Sequence, residues 1–170
     1  MKLSGNSQVI IGLGSNMGDR FASLSRALTL LREEAGVILA ASSVWETEPW
    51  GFEADEHFLN MVVVLQTKKQ PGQLMQLFRS FEGRMGRKRN QGGRYESRII
   101  DIDILLWENR VISLPGLEVP HPKLADRRFV LEPLNEVAPE AVHPITGLTV
   151  MEMLALCDDR SDVRLAEKQF

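Results

Sequence analysis

At 170 residues, with 44% hydrophobic and 25% charged residues, the chain has the length and composition of one soluble globular domain with a sizeable core. Its net charge of −3 excludes a global positive field that would draw it to nucleic acid or to a membrane surface. The single cysteine, Cys157, excludes an intramolecular disulfide and a multi-cysteine metal site.

Val9 to Leu13 is a short apolar run entering Gly12-Leu-Gly-Ser-Asn-Met-Gly18. It reads as a strand and a turn, then a helix with Phe21, Leu24, Leu28 and Leu31 at helical spacing and Gly36 as its stop. The glycines do not make a dinucleotide fingerprint, because the third comes one position late and no parallel β-α-β series follows. They are assigned to a tight turn and a close backbone approach. Val37 to Thr47 reads as one long strand and Phe58 to Thr67 as another. Between them residues 48–56 form a long irregular loop of the kind that carries function, with Trp50 and Phe52 in it. Along the second strand Phe58, Asn60, Val62 and Val64 share a face opposite Leu59, Met61, Val63 and Leu65. Asn60 is thus an amide within an apolar strand, and it must satisfy nearby backbone or read a ligand.

Pro71 opens a second helix, with Leu74, Leu77, Phe78, Phe81 and Met85 on its buried face. Glu82, Gly83 and a basic loop end it. The stretch Arg98-Ile-Ile-Asp-Ile-Asp-Ile-Leu-Leu-Trp107 then alternates as a strand does, with Ile100, Ile102, Ile104 and Leu106 on one face and Asp101 and Asp103 on the other. Aspartate is a poor strand former, so two of them need a reason. A solvent-facing side would suffice by itself. The preceding segment argues for more, because it carries Arg84, Arg87, Lys88, Arg89, Arg94 and Arg98 against Glu96 alone. Two carboxylates on one face beside a Gly-rich basic loop suit Mg²⁺, which is usually held by one or two carboxylates together with substrate phosphates. The residues themselves therefore point to metal-assisted chemistry on a nucleoside triphosphate.

The order β-α-β-β-α-β is the ferredoxin-like arrangement, with both helices on one face of an antiparallel sheet and Asn60, Asp101 and Asp103 on the other. The expected fold class is α+β: a ferredoxin-like sandwich with an additional C-terminal hairpin and helix region, in a single domain spanning 1–170. After Trp107 the chain turns at 108–110. Val111-Ile112 reads as a short returning strand, and a loop from Pro115-Gly116 runs to Phe129. His121 sits between two prolines in extended backbone. Followed by Arg127 and Arg128, it is a candidate for the anion site, with a structural role as the alternative. The tail has a helix around Val150 to Leu156. No run reaches transmembrane length and the first residues lack a signal-peptide core, so the expected address is cytoplasmic, with no membrane partner.

These residues, in this order and spacing, resemble the 6-hydroxymethyl-7,8-dihydropterin pyrophosphokinase family of folate biosynthesis from about Val9 to about Gly147. The motifs that carry the resemblance are Gly12-Leu-Gly-Ser-Asn16, Thr47-Glu-Pro-Trp-Gly51, Phe58-Leu-Asn60, Glu82, Arg87, Arg98-Ile-Ile-Asp-Ile-Asp103, and Val119-Pro-His121 with Arg127 and Phe129. What the resemblance implies is transfer of pyrophosphate from ATP to the hydroxymethyl group of a reduced pterin, releasing AMP. It implies Asp101 and Asp103 as ligands of two Mg²⁺ ions that bridge the triphosphate, and Arg87 and Arg98 as phosphate clamps; these four form the catalytic set. His121 and Arg127 would hold the ATP side, with Glu82 near the nucleotide. Thr47 and Asn60 would hydrogen-bond the pterin edge with Pro49 beside them, and Phe58 and Phe129 would sandwich the ring. The loops at 47–57 and 83–97 would close as lids that exclude water.

The chain departs from the family pattern at three places. Tyr95 stands where a tryptophan is usual, in a basic loop one residue longer. Pro122 and Phe58 stand where tyrosines are common. Partners implied are two small-molecule substrates, with no nucleic acid, and a monomer. Two other readings fit these residues less well. An RNA-binding module on the same fold would want a basic sheet face where the aspartates lie. A palm-type nucleotidyl transferase would not carry the Thr47–Asn60 segment or the His121 loop.

Overall fold

The computed structural model describes residues 5–47, 56–88 and 98–170. In chain order the first half comprises β1 (Ser7–Ser15), α1 (Arg20–Leu30) with a π-helical turn (Leu31–Ala35), β2 (Val37–Ala41), β3 (Trp45–Thr47) and β4 (Phe58–Thr67). The second half comprises α2 (Pro71–Arg84), β5 (Asp101–Trp107), β6 (Ile112–Leu114), β7 (Leu117–Val119), α3 (Arg128–Val137), α4 (Val150–Leu156) and β8 (Val163–Leu165). The Asp19 carboxylate caps α1 by accepting from the Ala22 N–H at 3.0 Å. Reciprocal capping boxes, Gln70 with Gln73 and Thr149 with Glu152, start α2 and α4.

The main sheet is antiparallel in the order β5-β1-β4-β3-β8, with β2 also paired to β4. Period-two alternation sorts its side chains into two cores. Val9, Ile11, Leu13, Leu59, Met61, Val63 and Leu65 face α1 and α2, where Leu24, Leu28, Leu74, Phe78 and Phe81 close over them. Ile10 and Val62 face the other way, against Leu131 and Leu134 of α3 and Val150 and Met153 of α4. The expected faces of β4 and of both helices hold. Behind α1, Gly36 passes so near β4 that a Cβ there would collide with the Gln66 carbonyl.

The structure corrects several expectations. Val37–Thr47 is two strands rather than one: Ala41 pairs with Val63 and Trp45 with Asn60, so four steps on one side match three on the other. The serines between cause the break, since the Ser42 hydroxyl accepts from the Val62 N–H at 2.9 Å and the Ser43 N–H donates to Glu136 at 2.9 Å. In β5, Ile10 faces Leu106 while Ile11 faces Ile104, which leaves Leu105 as an extra residue. The bulge flips the alternation, so Leu106 joins Leu105 in the second core and Trp107 turns to the first. The returning strand at 111–112 does not rejoin the sheet; β6 pairs with β7 in a separate hairpin. The loop expected from Pro115-Gly116 to Phe129 instead holds β7 and a 3-10 turn at Leu124–Asp126, and it ends at Arg127, ahead of α3. Finally, β8 adds an edge strand that no alternation announced.

Candidate active site

Two positions of β1 bring the candidate residues of β4 and β5 side by side. Gly14 of β1 pairs with Asp101 of β5 on one side and with Asn60 of β4 on the other, while Gly12 pairs with Asp103 and with Val62. The two glycines lie within β1 rather than in a turn, and their role is room. A Cβ at Gly14 would stand 2.9 Å from Asn60 Oδ1, and one at Gly12 would stand 3.4 Å from Leu105 Cδ1. Without side chains at these points, a trough runs from the aspartates to Asn60.

β5 is the outermost strand on its side, and its exposed edge is put to use. Glu82 Oε1 of α2 accepts from the Ile102 N–H at 3.0 Å, and the Leu105 carbonyl accepts from the His121 N–H at 2.9 Å. The edge thus fastens α2 on one side and the His121 loop on the other. The start of β5 is fastened by Asn16, which is buried. Its N–H donates to the Arg98 carbonyl at 3.0 Å, and its Oδ1 accepts from the Arg98 N–H at 2.6 Å. Asn16 stands in the quoted motif, yet its role in positioning Arg98 is visible only once the two segments meet.

Around the aspartates lies a charged network. Arg87 reaches Glu82 Oε2 at 2.7 Å and Asp101 Oδ1 at 2.8 Å, and Arg98 reaches Asp101 Oδ2 at 2.7 Å. Glu82, expected beside the nucleotide, is buried and brackets β5 and Arg87. Burial works against the charge on Arg87, but Asp101 and Glu82 outweigh it and hold the guanidinium above its ordinary pKa. Burial also pushes the Asp103 carboxyl up to about 7, reinforced by Asp101 and Glu82 and opposed by Arg127 and Arg98. Burial, then the Arg127 charge, holds His121 down to about 4. Its Nδ1 accepts from the Lys123 N–H at 3.2 Å, so the neutral ring carries its proton on Nε2 and presents a donor.

Two cavities meet at this network. One, of about 300 Å³, is lined by Gly12, Gly14, Thr47, Phe58, Asn60 and Phe129. The other, of about 460 Å³, runs between α2 and the β6–β7 hairpin, past Phe78, Arg79, Glu82, Arg87, Leu117 and Glu118. Arg98, Asp101, Asp103, His121 and Pro122 line both. In the first cavity the Asn60 amide nitrogen donates to Thr47 Oγ1 at 2.7 Å, which fixes the amide orientation. Arg127 and Lys123 line the same cavity, and the Arg127 guanidinium lies 5.7 Å from the Phe129 ring centre. Sequence reasoning missed Lys123 and Arg79; a cation two residues after His121 was the available signal for the first.

Every predicted site residue among the described ones therefore lines one cavity or the other. Pro49, Trp50, Phe52, Arg89, Arg94, Tyr95 and Glu96, with most of both expected lids, lie outside the described residues. No group of three or more His, Cys, Asp or Glu suited to a metal occurs among the described residues. The Asp101–Asp103 pair fits an ion that takes its remaining oxygens from a bound polyphosphate.

Residues 10–139 match the model of the 7,8-dihydro-6-hydroxymethylpterin-pyrophosphokinase (HPPK) family. The 2-amino-4-hydroxy-6-hydroxymethyldihydropteridine pyrophosphokinase of Porphyromonas gingivalis is 44% identical over 138 residues, covering 80% of this chain and 93% of the relative. The enzyme of the same name from Bacillus subtilis is 40% identical over 143 residues, covering 84% of each. Among solved structures, wild-type Plasmodium falciparum HPPK-DHPS with SDX-DHP superposes with a TM-score of 0.74 over 89% of this chain at 17% identity. At that identity the likeness concerns fold alone, and this chain spans 44% of that longer one.

Proposed function

We propose that this chain, which belongs to the 7,8-dihydro-6-hydroxymethylpterin-pyrophosphokinase family, performs its family's reaction with the residues that the two cavities share. The chain is a 2-amino-4-hydroxy-6-hydroxymethyldihydropteridine pyrophosphokinase, transferring pyrophosphate from ATP to 6-hydroxymethyl-7,8-dihydropterin in folate biosynthesis. The hydroxymethyl oxygen bonds to the β-phosphorus and gives up its proton to solvent, the bond from that phosphorus to the oxygen bridging to the α-phosphate breaks, and AMP leaves with that oxygen. The observation that carries the residue assignment is the meeting of the two cavities on Arg98, Asp101, Asp103 and His121. A donor in one cavity and an acceptor in the other can face each other only there.

The reduced pterin takes the smaller cavity, its ring between Phe58 and Phe129 and its edge on Asn60 and Thr47. The Asn60–Thr47 hydrogen bond supports this, because it presents the amide in one orientation before the ligand arrives. ATP takes the larger cavity, its phosphates toward Arg87, Arg98 and His121. The arginine forks suit bidentate phosphate contacts, and neutral His121 offers an N–H that does not depend on pH near neutrality. Asp101 and Asp103 would hold Mg²⁺, two ions on the family reading, which bound with the triphosphate would neutralise charge on the transferred group. The remaining contribution of the chain is alignment and exclusion of water, on which phosphoryl transfer chiefly depends.

The sheet order β5-β1-β4 with β2 and β3 outside β4, and α1 and α2 on one face, supports the ferredoxin-like reading, with α3, α4 and β8 as the added C-terminal region. Two cores sharing one sheet support a single domain over 1–170. No helix among the described residues is long and apolar enough to cross a membrane. We read the enzyme as a cytoplasmic monomer acting on small molecules rather than nucleic acid. The test is a product assay with ATP, Mg²⁺ and the hydroxymethyl pterin. AMP formed in step with pterin diphosphate is the expected result, whereas ADP would refute β-phosphorus attack.

A further inference from the structure

We propose that the segment 163–170, which lies beyond the family match at 10–139, is a positioning strap for the pterin subsite, with Gln169 as its clasp. The inference rests on the assignment of Thr47 and Asn60 to the pterin.

β3, which ends in Thr47, is three residues long and pairs with β4 on one side. Its other side is covered by β8, with Val163 opposite Thr47, Arg164 opposite Glu46 and Leu165 opposite Trp45. Such a short strand is poorly held by one neighbour alone. Just before β3 the chain bulges off β4, and Val44 turns its backbone away from that ladder. Gln169 takes up these groups as a partner strand would. Its Oε1 accepts from the Val44 N–H at 2.7 Å, and its Nε2 donates to the Val44 carbonyl at 2.8 Å and to the Ala166 carbonyl at 2.9 Å. The Ala166 N–H also donates to the Val44 carbonyl, at 2.9 Å, and Ala166 itself is buried in the main core. Beyond the clasp, Phe170 stacks on Phe21 of α1 with ring centres 4.1 Å apart, and Lys168 Nζ lies 4.2 Å from the same ring.

The consequence reaches the site through Thr47. Its hydroxyl accepts the Asn60 amide, and its backbone lies between Phe58 of β4 and Val163 of β8. Releasing the strap frees β3 on one side and lets Thr47 drift from Asn60, whereas Arg87, Asp103 and His121 are held through α2, β5 and the His121 loop. The strap therefore bears on the pterin and not on ATP.

Steady-state kinetics on full-length Gln169→Ala, Phe170→Ala, Thr47→Val and Val9→Ala test this. Val9 is buried at the opposite end of β1 from Gly14 and serves as a control for general loss of stability. The expected result is a KM for the pterin raised about fivefold or more in Gln169→Ala and Phe170→Ala, with KM for ATP changed less than about twofold. Val9→Ala should lower the melting temperature without that split. Gln169→Ala and Phe170→Ala that leave KM for the pterin unchanged, or raise both KM values together, would overturn the strap if Thr47→Val still weakens pterin binding. If Thr47→Val also leaves the pterin KM unchanged, the pterin assignment itself is wrong. Should Gln169→Ala not fold, Phe170→Ala carries the same comparison.

Discussion

Replacing Asp103 by asparagine removes one charge and almost no volume. The carboxyl is pushed up to about 7, against an ordinary value near 3.9, first by burial and then by Asp101 and Glu82. Three units correspond to about 4 kcal/mol at most. Asp103 is partly exposed and is attracted by Arg98 and Arg127, so about half of that, about 2 kcal/mol, is the working figure. The sign is the reverse of a salt-bridged aspartate. Between about pH 4 and pH 7 the unfolded chain loses this proton while the folded chain keeps it, so stability falls as pH rises. Below that window both states are protonated, and above it the folded protein bears the full cost. Asp103→Asn, without metal or nucleotide, should gain about 1 kcal/mol at pH 5 and about 2 kcal/mol at pH 8. Turnover should fall by at least about 100-fold, because the proposed metal role of Asp103 needs both its oxygen and its charge. Urea unfolding at the two pH values, beside the AMP assay, reads both quantities. A stability difference that is equal at both pH values would refute the burial argument, and undiminished turnover would refute the metal role.

Gly14→Ala places a Cβ 2.9 Å from Asn60 Oδ1, so the amide must leave its bond to Thr47; pterin affinity should drop about tenfold while KM for ATP holds. Because His121 is held down to about 4, the pH–rate profile should contain no imidazole inflection between pH 5.5 and 8. An inflection near 6.5 that disappears in His121→Gln would contradict the neutral-donor role. Arg87→Ala should destabilise the fold by about 2–4 kcal/mol, since it leaves the buried Glu82 carboxylate without its guanidinium. Adding Glu82→Gln should restore part of that loss in a double-mutant cycle, and strict additivity of the two would count against the bracket.

The sequence by itself determined the faces and the chemistry. Alternation in Phe58–Leu65 and Ile100–Ile104 depends only on neighbouring residues, so it placed Asn60, Asp101 and Asp103 on one side of a sheet before any partner strand was known. The charged run from Arg84 to Arg98 and the two aspartates are likewise a local signal, and the phosphate and metal site proposed above rests on it. Only the tertiary structure decided what depends on which residue sits opposite which. The bulge at Leu105 that sends Leu106 to the second core is a mismatch between β1 and β5, not a property of either. Asn16 positioning Arg98, Glu82 bracketing Ile102 and Arg87, and Gln169 clasping Val44 join positions 82, 20 and 125 residues apart, counting Asn16–Arg98, Glu82–Ile102 and Val44–Gln169. Side chains that complete another segment's backbone leave no period in the sequence. β8 is the extreme case: three residues with two exposed side chains become a strand because β3 offers an open edge.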